Sequence, residues 1–563
     1  MNQKQAIVDC LKPVLQSHLS DEAILSLIEV PKESSHGDLA FPVFQLAKVF
    51  RKAPNLIAQE IVDQVDPGAF AAVQAVGPYI NFKLNRSAQS QSILQAVLKE
   101  GADYGRDDSG QGGKVPIDMS SPNIAKPMSM GHLRSTVIGN AIALILDKVG
   151  YQPIKINHLG DWGTQFGKLI VAYQLWGDEA VVKADPVNEL VKLYVRFHEE
   201  ADKNPELNDQ GRLAFKRLED GDPEMHALWT WFKDESIKEF NAIYDLLGIE
   251  FDSVRGEAFY NDKMEEIVDL LDQKGITEVD NGATLVKLDE LDLPPALIKK
   301  SDGATLYMTR DLATAYFRKR EYDFVKSLYV VGNEQSVHFK QLKAVLAKMG
   351  NEWAEAIDHI AFGLITLNGK KLSTRKGKIV LLADVLNEAI DLAQKQIEAK
   401  NPDLANAQEV ARQVGVGAVM FHDLKTDRLN NFDFNLEEVV QFEGETGPYV
   451  QYAHARAHSI IRKYPAELDL SQPLVIEDDY GWEIIKKLAD FSRTIHLAAD
   501  RYEPSVIAKY AISLAQTFNK YYANTRVLDQ DDQINARIAL VQATAIVLKN
   551  ALALLGIEAP EEM

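Results

Sequence analysis

The chain has 563 residues, 46% of them hydrophobic and 25% charged, so it is long enough for about three or four domains and is neither fibrous nor largely disordered. Its net charge of −21 at pH 7 opposes non-specific binding to nucleic acid, so any nucleic-acid surface requires local segregation of Lys and Arg. A single cysteine, Cys10, excludes an intramolecular disulfide and a cysteine-based zinc site and fits a reducing cytoplasm. The sequence shows no signal peptide and no apolar run of about 18 residues, so we expect no membrane span.

Residues 1–108 are predicted to form a separate, small α/β domain. They end in a linker-like stretch rich in Gly and Asp at residues 100–113, which is typical of a domain boundary. Its two distinctive segments are 36–48 and 77–82. Taken alone, these segments are explained about equally well by a functional role and by a small α/β domain with a surface histidine at position 36 and a plain turn at Gly77-Pro78.

Strands and helices alternate over residues 114–378, which predicts a doubly wound parallel sheet with insertions. The first strand, 114–119, leads into a loop rich in Pro and Gly and then into a helix that ends at Gly150. The start of such a helix directs free backbone N–H groups at an anion such as phosphate. Gly131 permits close approach of the backbone, and His132 is placed to donate a hydrogen bond to a phosphoryl oxygen.

The next strand, 153–157, leads into a second loop with glycines and polar side chains. There, Gln165 is a candidate to bind the polar groups of a substrate, and Asp161 is predicted to cap the helix that follows. Residues 177 to about 240 have an acidic, helical pattern, which is typical of a solvated helical insertion.

The second half of the sheet contributes two further polar segments. Residues 302–313 are predicted as a hairpin turn and a strand entering a helix, and strand 327–331 is followed by a turn that ends at Gln335. Both segments place polar side chains at the edge where an open α/β sheet binds its ligand. Taken singly, Asp311 fits a helix cap and Tyr307 fits a half-buried strand tyrosine.

A strand that breaks into a basic loop follows at residues 363–377. Its Lys371, Ser373 and Arg375 suit contact with a triphosphate, because a loop of this kind can fold over the phosphates and neutralise their charge. On its own, the segment is more typical of a solvated basic hairpin tip.

From residue 379 the chain is predicted to be mostly helical, with a connector over 379–445 and a helical bundle over 446–563. Two tracts in the bundle, 446–458 and 518–528, mix aromatic and basic residues. Such a mixture suits stacking on unpaired bases of an RNA loop, although composition alone favours a bundle core with polar edges.

Residues 120–136, SSPNIAKPMSMGHLRST, resemble the first signature of class I aminoacyl-tRNA synthetases in the form found in arginyl-tRNA synthetases. The loop around Lys371 resembles the second signature. Two positions depart from the family pattern, because Ser129 stands where the first histidine is expected and Thr374 where the second loop lysine is expected. The resemblance implies that Lys126 takes over from that lysine. It extends over the whole chain, including both terminal domains.

The resemblance implies a Rossmann-like catalytic domain with insertions, a small α/β N-terminal domain that contacts the corner of tRNA, and an all-α anticodon-binding bundle at the C-terminal end. The implied reaction joins arginine to tRNA(Arg) at the expense of ATP. Mg²⁺ is expected to travel with ATP, without a permanent metal site. The chain is expected to be a cytoplasmic monomer.

The same resemblance assigns roles to individual residues. The residues expected to act on the reacting phosphates are His132, Lys126 and Lys371. Contacts to ATP are expected from Ser129, Gly131, Lys371, Ser373 and Arg375. The arginine site is expected to use Asp118, Asn123, Gln165, Tyr307, Asp311 and Gln335. Contacts to tRNA are expected from Tyr449, Tyr452, Arg456, Tyr522 and Arg526.

Two alternatives stay open at this point. Another nucleotidyl-transferring enzyme of the same Rossmann-like superfamily would share the first loop but has no evident use for the two terminal domains. A catalytically silent paralogue that binds tRNA or senses an amino acid would account for Ser129 and Thr374. Arginine-dependent pyrophosphate exchange that appears only with tRNA separates these possibilities.

Overall fold

The computed structural model describes residues 3–31, 33, 36–301, 306–367, 370–371, 374–375 and 378–563, and of residues 3, 367, 370, 371, 374, 375, 378 and 379 it describes the backbone alone. The helices are α1 Gln3–Leu15, α2 Asp21–Leu27, α3 Ala47–Phe50, α4 Pro54–Val62, α5 Arg86–Glu100, α6 Leu133–Lys148, α7 Thr164–Trp176, α8 Glu179–Ala184, α9 Pro186–Lys203, α10 Glu206–Glu219, α11 Pro223–Leu247, α12 Met264–Lys274, α13 Tyr307–Tyr322, α14 Ser336–Lys348, α15 Leu382–Lys400, α16 Ala407–Leu424, α17 Leu436–Val439, α18 Gly447–Lys463, α19 Asp479–Arg501, α20 Ser505–Asn524 and α21 Ile534–Leu554. The strands are β1 Leu39–Pro42, β2 Phe70–Val76, β3 Tyr79–Leu84, β4 Lys114–Ser120, β5 Gln152–Asn157, β6 Ser253–Val254, β7 Glu278–Asp280, β8 Ala283–Leu288, β9 Leu293–Lys299, β10 Ser327–Gly332, β11 Ile357–Phe362, β12 Ile365–Leu367, β13 Lys370–Lys371, β14 Thr374–Arg375, β15 Lys378–Ile379 and β16 Phe432–Asp433.

The chain divides into two compact units. Unit 1 comprises Met1–Gly101, Ile460–Ala489 and Lys520–Ala543, and unit 2 comprises Ala102–Ser459, Asp490–Asn519 and Thr544–Met563. Unit 1 contains an antiparallel sheet of order β1-β3-β2. Its N-terminal part is therefore α/β, as the sequence predicts.

Within unit 1, Asp38 ties the small sheet to the later helical segment. One carboxylate oxygen of Asp38 accepts from the backbone N–H of Leu84 at 2.9 Å, and the other accepts from the indole N–H of Trp482, also at 2.9 Å. The guanidinium of Arg86 lies over the Trp482 ring, 5.5 Å from its centroid. A charged acceptor strengthens both hydrogen bonds.

Unit 2 is built on a five-stranded parallel sheet of order β11-β10-β4-β5-β6. The prediction of a doubly wound parallel sheet is therefore confirmed. The predicted strands 114–119, 153–157 and 327–331 correspond to β4, β5 and β10. Helix α6 connects β4 to β5 and ends two residues before Gly150, whose φ of +85° favours glycine.

The central strand of this sheet is shielded from solvent, since β4 is buried from Val115 to Ser120. Helix α6 packs closely on it, since a side chain at Gly139 would meet the Cβ of Met119 at 2.2 Å. This close approach fixes the height at which α6 begins above the carboxyl end of β4.

Two groups of elements are inserted into the sheet domain. Helices α8 to α11 occupy the segment predicted as a helical insertion. A three-stranded antiparallel sheet, β7-β8-β9, packs with α12, α13 and α14 around buried residues such as Leu271, Val286 and Leu312.

The chain from residue 382 onward is mainly helical, as predicted. Helix α21 has the length and apolarity of a membrane span, but 72% of its most apolar window is buried inside the protein, as in a core helix.

One local prediction is wrong. Tyr307, taken singly, fits a half-buried strand tyrosine, whereas it is the first residue of α13 and is 70% exposed. Residues 302–305 lie outside the described residues. Leu306, the residue before the helix, has an extended backbone. A strand and the residue before a helix both have this conformation, so the sequence pattern does not distinguish them.

Candidate active site

The site lies where the connections leave the sheet in opposite directions. β4 pairs with β5 on one side and with β10 on the other, and the chain reaches β5 through α6 but returns to β10 only after the insertions. In an open α/β sheet, the carboxyl ends of the strands at such a point form a ligand crevice. The loops after β4, β5 and β10 leave the sheet at these carboxyl ends.

The first part of the loop after β4 is held against the loop after β5. Asn123 and Gly160 form an isolated parallel bridge, and a side chain at Gly160 would meet Asn123 Oδ1 at 2.2 Å. Ala125 has a left-handed backbone, with φ +58°, and its N–H donates to Ser236 Oγ at 2.8 Å. Such strain is common where a loop is shaped for a ligand, and here it precedes Lys126.

Ser129 and His132 form one hydrogen-bonded unit at the entry to α6. The backbone N–H of Ser129 donates to Nδ1 of His132 at 3.0 Å, and Ser129 Oγ lies 3.2 Å from the same nitrogen. Burial lowers the pKa of His132, so the ring is neutral at neutral pH. The N–H of Ser129 makes Nδ1 an acceptor and favours the tautomer with the proton on Nε2, which suits donation to a phosphoryl oxygen. Ser129, the residue that departs from the family signature, thus orients His132.

The first signature loop is also paired with the chain that leaves the second. The N–H of Met130 donates to the carbonyl of Val380 at 3.1 Å, and the N–H of Leu382 donates to the carbonyl of Met128 at 2.9 Å. Between them, Ser129 and Leu381 form an antiparallel bridge. Of the predicted loop residues, Ser373 lies outside the described residues, and of Lys371 and Arg375 only the backbone is described.

Lys126 is exposed, and its ammonium lies 5.9 Å from the centroid of the Tyr194 ring on α9. This distance is at the outer limit of a cation–π interaction. The side chain is thus held only weakly, and the four carbon atoms of its stem give the ammonium a wide reach.

Acidic side chains converge beside this loop. Burial lowers the pKa of His158, and the nearby charges of Asp118, Asp311 and Asp161 act in the opposite direction. Asp118 itself is paired with the buried Arg318, with Oδ2 2.8 Å from Nη2. Burial lowers the pKa of that guanidinium, but the charge of Asp118 prevails and the net pKa is raised.

The prediction that Asp161 caps the helix after β5 is wrong. Helix α7 begins at Thr164 and has no side-chain cap. Asp161 is fully buried, accepts from the N–H of Ala258 at 2.9 Å and pairs with Lys233 at 3.2 Å. These partners lie much later in the chain, so the local pattern did not reveal them.

Asp311 and Tyr307 are brought to the same cluster by α13. Nε2 of His338, on α14, lies 2.5 Å from Oδ2 of Asp311. Tyr307 is 70% exposed, and the guanidinium of Arg310 lies 6.0 Å from its ring centroid. Asp311 is therefore a partly buried acceptor with a histidine partner, and Tyr307 leaves an open aromatic face beside it.

Glu257, which was not predicted as a site residue, lies at the start of a 3-10 turn after β6. Its side chain is 18% exposed and lies 3.7 Å from Arg310. Burial raises the pKa of Glu257 to about 7, helped by the charges of Asp161 and Asp311 and opposed by Arg310. A carboxyl whose pKa is strongly raised by burial and by neighbouring negative charges is typical of a functional site. The sequence around Glu257 carries no motif that would have revealed it.

The remaining predicted polar residues lie at the same edge of the sheet. Gln165 is in the first turn of α7 and donates to the carbonyl of Trp162 at 3.4 Å. Gln335 ends the 3-10 turn that follows β10, and both it and Asn123 are exposed. Gly131 is exposed as well and precedes His132. Each of these groups is accessible to a small ligand.

The five residues predicted to contact tRNA are divided between the units. Tyr449, Tyr452 and Arg456 lie on α18 in unit 2, whereas Tyr522 and Arg526 belong to unit 1 and are exposed. The guanidinium of Arg456 lies 4.9 Å from the Tyr452 ring centroid, and Asn519 bonds to both Arg456 and Tyr449. The three residues of unit 2 thus form one connected surface.

Three family models match the chain. That of "tRNA synthetases class I (R), catalytic domain" matches residues 93–436, that of "Arginyl tRNA synthetase N terminal domain" matches 2–84, and that of "DALR anticodon binding domain" matches 450–563. Together they cover most of the chain, with the catalytic model alone spanning more than half.

Known proteins match over the same length. Curated arginine–tRNA ligases from Enterococcus faecalis and Latilactobacillus sakei are 62% and 61% identical to the chain, with all of each sequence covered. The structure of Thermus thermophilus arginyl-tRNA synthetase is 28% identical, covers all of both chains and superposes with a TM-score of 0.81. The chain therefore belongs to the arginyl-tRNA synthetase family of class I aminoacyl-tRNA synthetases.

Proposed function

We propose that the chain is an ATP-dependent arginine–tRNA ligase. In the first step, the carboxylate of arginine attacks the α-phosphate of ATP, and arginyl-adenylate and pyrophosphate form. In the second, a hydroxyl of the terminal ribose of tRNA(Arg) takes the arginyl group and releases AMP. The observation that carries this proposal is one sheet edge with both a neutral histidine donor at a helix start and an acidic cluster. Such a site works by positioning and by stabilising charge.

The acidic cluster suits the guanidinium of arginine, a planar group with five N–H donors that pairs best with carboxylates. Asp118 and Asp161 are already paired with basic side chains. Glu257 and Asp311 have weaker positive partners, so we infer that these two receive the guanidinium. Tyr307 offers its ring beside them. Asp118 belongs to the same site, and its negative charge adds to that of the other carboxylates.

The α-amino and α-carboxylate groups of arginine require polar groups nearer to the phosphates. We assign them to Asn123, Gln165 and Gln335, which follow the carboxyl ends of β4, β5 and β10. The parallel bridge of Asn123 with Gly160 supports this assignment, because it brings the first two loops together.

ATP is assigned to the two signature segments. His132 donates from Nε2 to the α-phosphate, Gly131 permits close approach, and Ser129 orients the imidazole. Lys126 supplies a mobile positive charge for the triphosphate, in place of the missing second lysine of the other loop. The loop residues assigned to the triphosphate are Lys371, Ser373 and Arg375.

The terminal regions are assigned to tRNA. Residues 1–108 are proposed to contact the corner of the tRNA and 446–563 its anticodon loop, with 379–445 as a helical connector. Matches to the N-terminal and anticodon-binding family models support this division. The proposed contacts are Tyr449, Tyr452, Arg456, Tyr522 and Arg526.

We further propose a cytoplasmic monomer that takes up Mg²⁺ with ATP rather than holding a metal of its own. Among the described residues there is no cluster of three or more His, Cys, Asp or Glu side chains arranged for a metal ion. Mg²⁺ usually binds through substrate phosphates and retains several waters, which agrees with this assignment.

Pyrophosphate exchange tests the proposal. Purified protein with ATP, Mg²⁺ and labelled pyrophosphate is expected to form labelled ATP when arginine and tRNA are both present. Exchange that depends on a different amino acid would contradict the assignment of the acidic cluster. Absence of exchange, together with retained tRNA binding, would favour a silent paralogue.

A further inference from the structure

We propose that Arg134 is a positioning residue that holds His132 for its phosphate contact by tying the first turn of α6 to three other segments of unit 2. The inference rests on the proposed function, which places His132 at the α-phosphate. Arg134 follows His132 by two residues, and its side chain is 1% exposed. It therefore does not touch ATP itself.

The guanidinium of Arg134 reaches three acceptors on three segments. Nη1 donates to the carbonyl of Gly363 at 2.8 Å and to that of Asn430 at 3.0 Å. Nε donates to Oδ1 of Asp423 at 3.1 Å. Gly363 follows β11, Asn430 precedes β16, and Asp423 is near the end of α16. One side chain thus joins the start of α6 to all three.

The shape of the guanidinium is essential to this arrangement. Its central carbon lies 5.0 Å from the ring centroid of Phe432 and 5.7 Å from that of Phe362. A planar fork can lie on aromatic faces while it donates in several fixed directions, whereas the ammonium of lysine is a point charge on a flexible stem. Arg134→Lys therefore keeps the charge but loses the geometry.

The pair of Arg134 and Asp423 is a poor source of stability. Both side chains are 1% exposed, and burial raises the pKa of Asp423 to about 6 despite the nearby guanidinium. Among the described residues, Nη2 of Arg134 and Oδ2 of Asp423 have no hydrogen-bond partner. Apolar residues of similar volume often replace such a pair without loss of stability. Positioning of the start of α6 therefore explains the Arg134–Asp423 pair better than a contribution to the free energy of unfolding does.

The position of the helix start determines the position of the imidazole. The hydroxyls of Ser135 and Thr136 donate to the carbonyl of His132 at 3.3 and 2.9 Å, and the N–H of Ser129 holds Nδ1. The backbone of His132 is thus held to the first turn of α6, and its ring is held by Ser129 just before that turn. A tilt of this turn displaces Nε2, and a misplacement of about 1 Å can reduce a rate by on the order of a hundredfold.

The first test compares Arg134→Lys in two backgrounds. In the otherwise unchanged protein, kcat for arginine- and tRNA-dependent pyrophosphate exchange is expected to fall by about 10- to 100-fold, with KM for arginine within about twofold. In a His132→Ala background, the same substitution is expected to change kcat by less than about twofold, because coupled residues are not additive. An equal loss in both backgrounds, an unchanged kcat, or an effect on KM alone would overturn the proposal.

Two further variants separate position from folding. Asp423→Asn preserves the size of the side chain and weakens its bond to Arg134, and it carries the test if Arg134→Lys does not fold. Arg217→Lys is the matched control, because Arg217 lies on α10, outside the regions assigned to ATP, arginine or tRNA, and its Nε donates to Oδ2 of Asp222 at 2.8 Å. The control is expected to leave kcat unchanged.

Hydrogen exchange supplies a readout that does not depend on activity. The peptide covering residues 128–134 is expected to exchange faster in Arg134→Lys and Asp423→Asn than in the unchanged protein or in Arg217→Lys. Unaltered exchange in the first two variants would overturn the role of Arg134. Failure of the proposed function is distinguishable, because it would appear as absent pyrophosphate exchange in the unchanged protein while the exchange of this peptide still responds.

Discussion

Arginine affinity is expected to weaken as the pH falls through 7, because Glu257 must be ionised to pair with a guanidinium. Burial raises its pKa from an ordinary value of 4.5 to about 7. A raised carboxyl pKa means that the contribution of Glu257 to stability is fully present below about pH 4.5 and is lost as the pH rises through about 7. Above pH 7 the folded protein therefore bears the cost of burying an ionised Glu257. A bound guanidinium offsets that cost by pairing with the carboxylate, so arginine should stabilise the protein more at pH 8 than at pH 6.

The magnitude follows from the ionised fraction. With a pKa of about 7, Glu257 is ionised in about 0.9 of the molecules at pH 8 and in about 0.1 at pH 6, and the apparent Kd rises as this fraction falls. The Kd for arginine is therefore expected to be about tenfold higher at pH 6 than at pH 8. Isothermal titration calorimetry at several pH values measures it directly.

Two variants identify the responsible group. Glu257→Gln is expected to bind arginine more weakly and without the pH dependence. Glu266→Gln, at an exposed carboxyl paired with Arg320, should retain the wild-type dependence. A tenfold dependence that persists in Glu257→Gln would refute the reasoning, because a group other than Glu257 would then carry the titration.

Four other substitutions test the remaining assignments. His132→Ala is expected to slow arginyl-adenylate formation by on the order of a hundredfold in single-turnover assays, and an unchanged rate would contradict its role at the phosphate. Lys126→Ala should cause a comparable loss in the same assay, whereas a mild effect would move the role to a cation of the second signature loop. Ser129→Ala should reduce the rate by about fivefold or less, because the backbone N–H that holds His132 remains. A loss as large as that of His132→Ala would show that the Ser129 hydroxyl itself contacts phosphate. Arg456→Ala should weaken tRNA binding and reduce the slope of log K against log salt concentration by about one, and an unchanged slope would exclude a phosphate contact.

Three strands of the central sheet, β4, β5 and β10, could be predicted because each is a short segment with alternating or continuous apolar residues that ends in a loop with Gly and polar residues. The entry to α6 could be predicted as well, since Gly131 and His132 stand in a distinctive segment. The antiparallel insertion β7-β8-β9 was not foreseen, and the helical start at Tyr307 was predicted as strand.

The internal partners of the site were beyond sequence reasoning. Asp118 is paired with Arg318, which is 200 residues away in the chain, and Asp161 is paired with Lys233 rather than with a helix end. Glu257 lies in an unremarkable turn and acquires its high pKa only from burial and from neighbouring charges. Effects of this kind depend on tertiary contacts, which local periodicity does not encode.

The most direct test of the account is aminoacylation with purified protein, ATP, Mg²⁺, bulk tRNA and each of the twenty amino acids in turn. The account predicts that arginine alone is attached to tRNA and that the activity coexists with serine at position 129. Attachment of a different amino acid, or no attachment by protein that still binds tRNA, would contradict it.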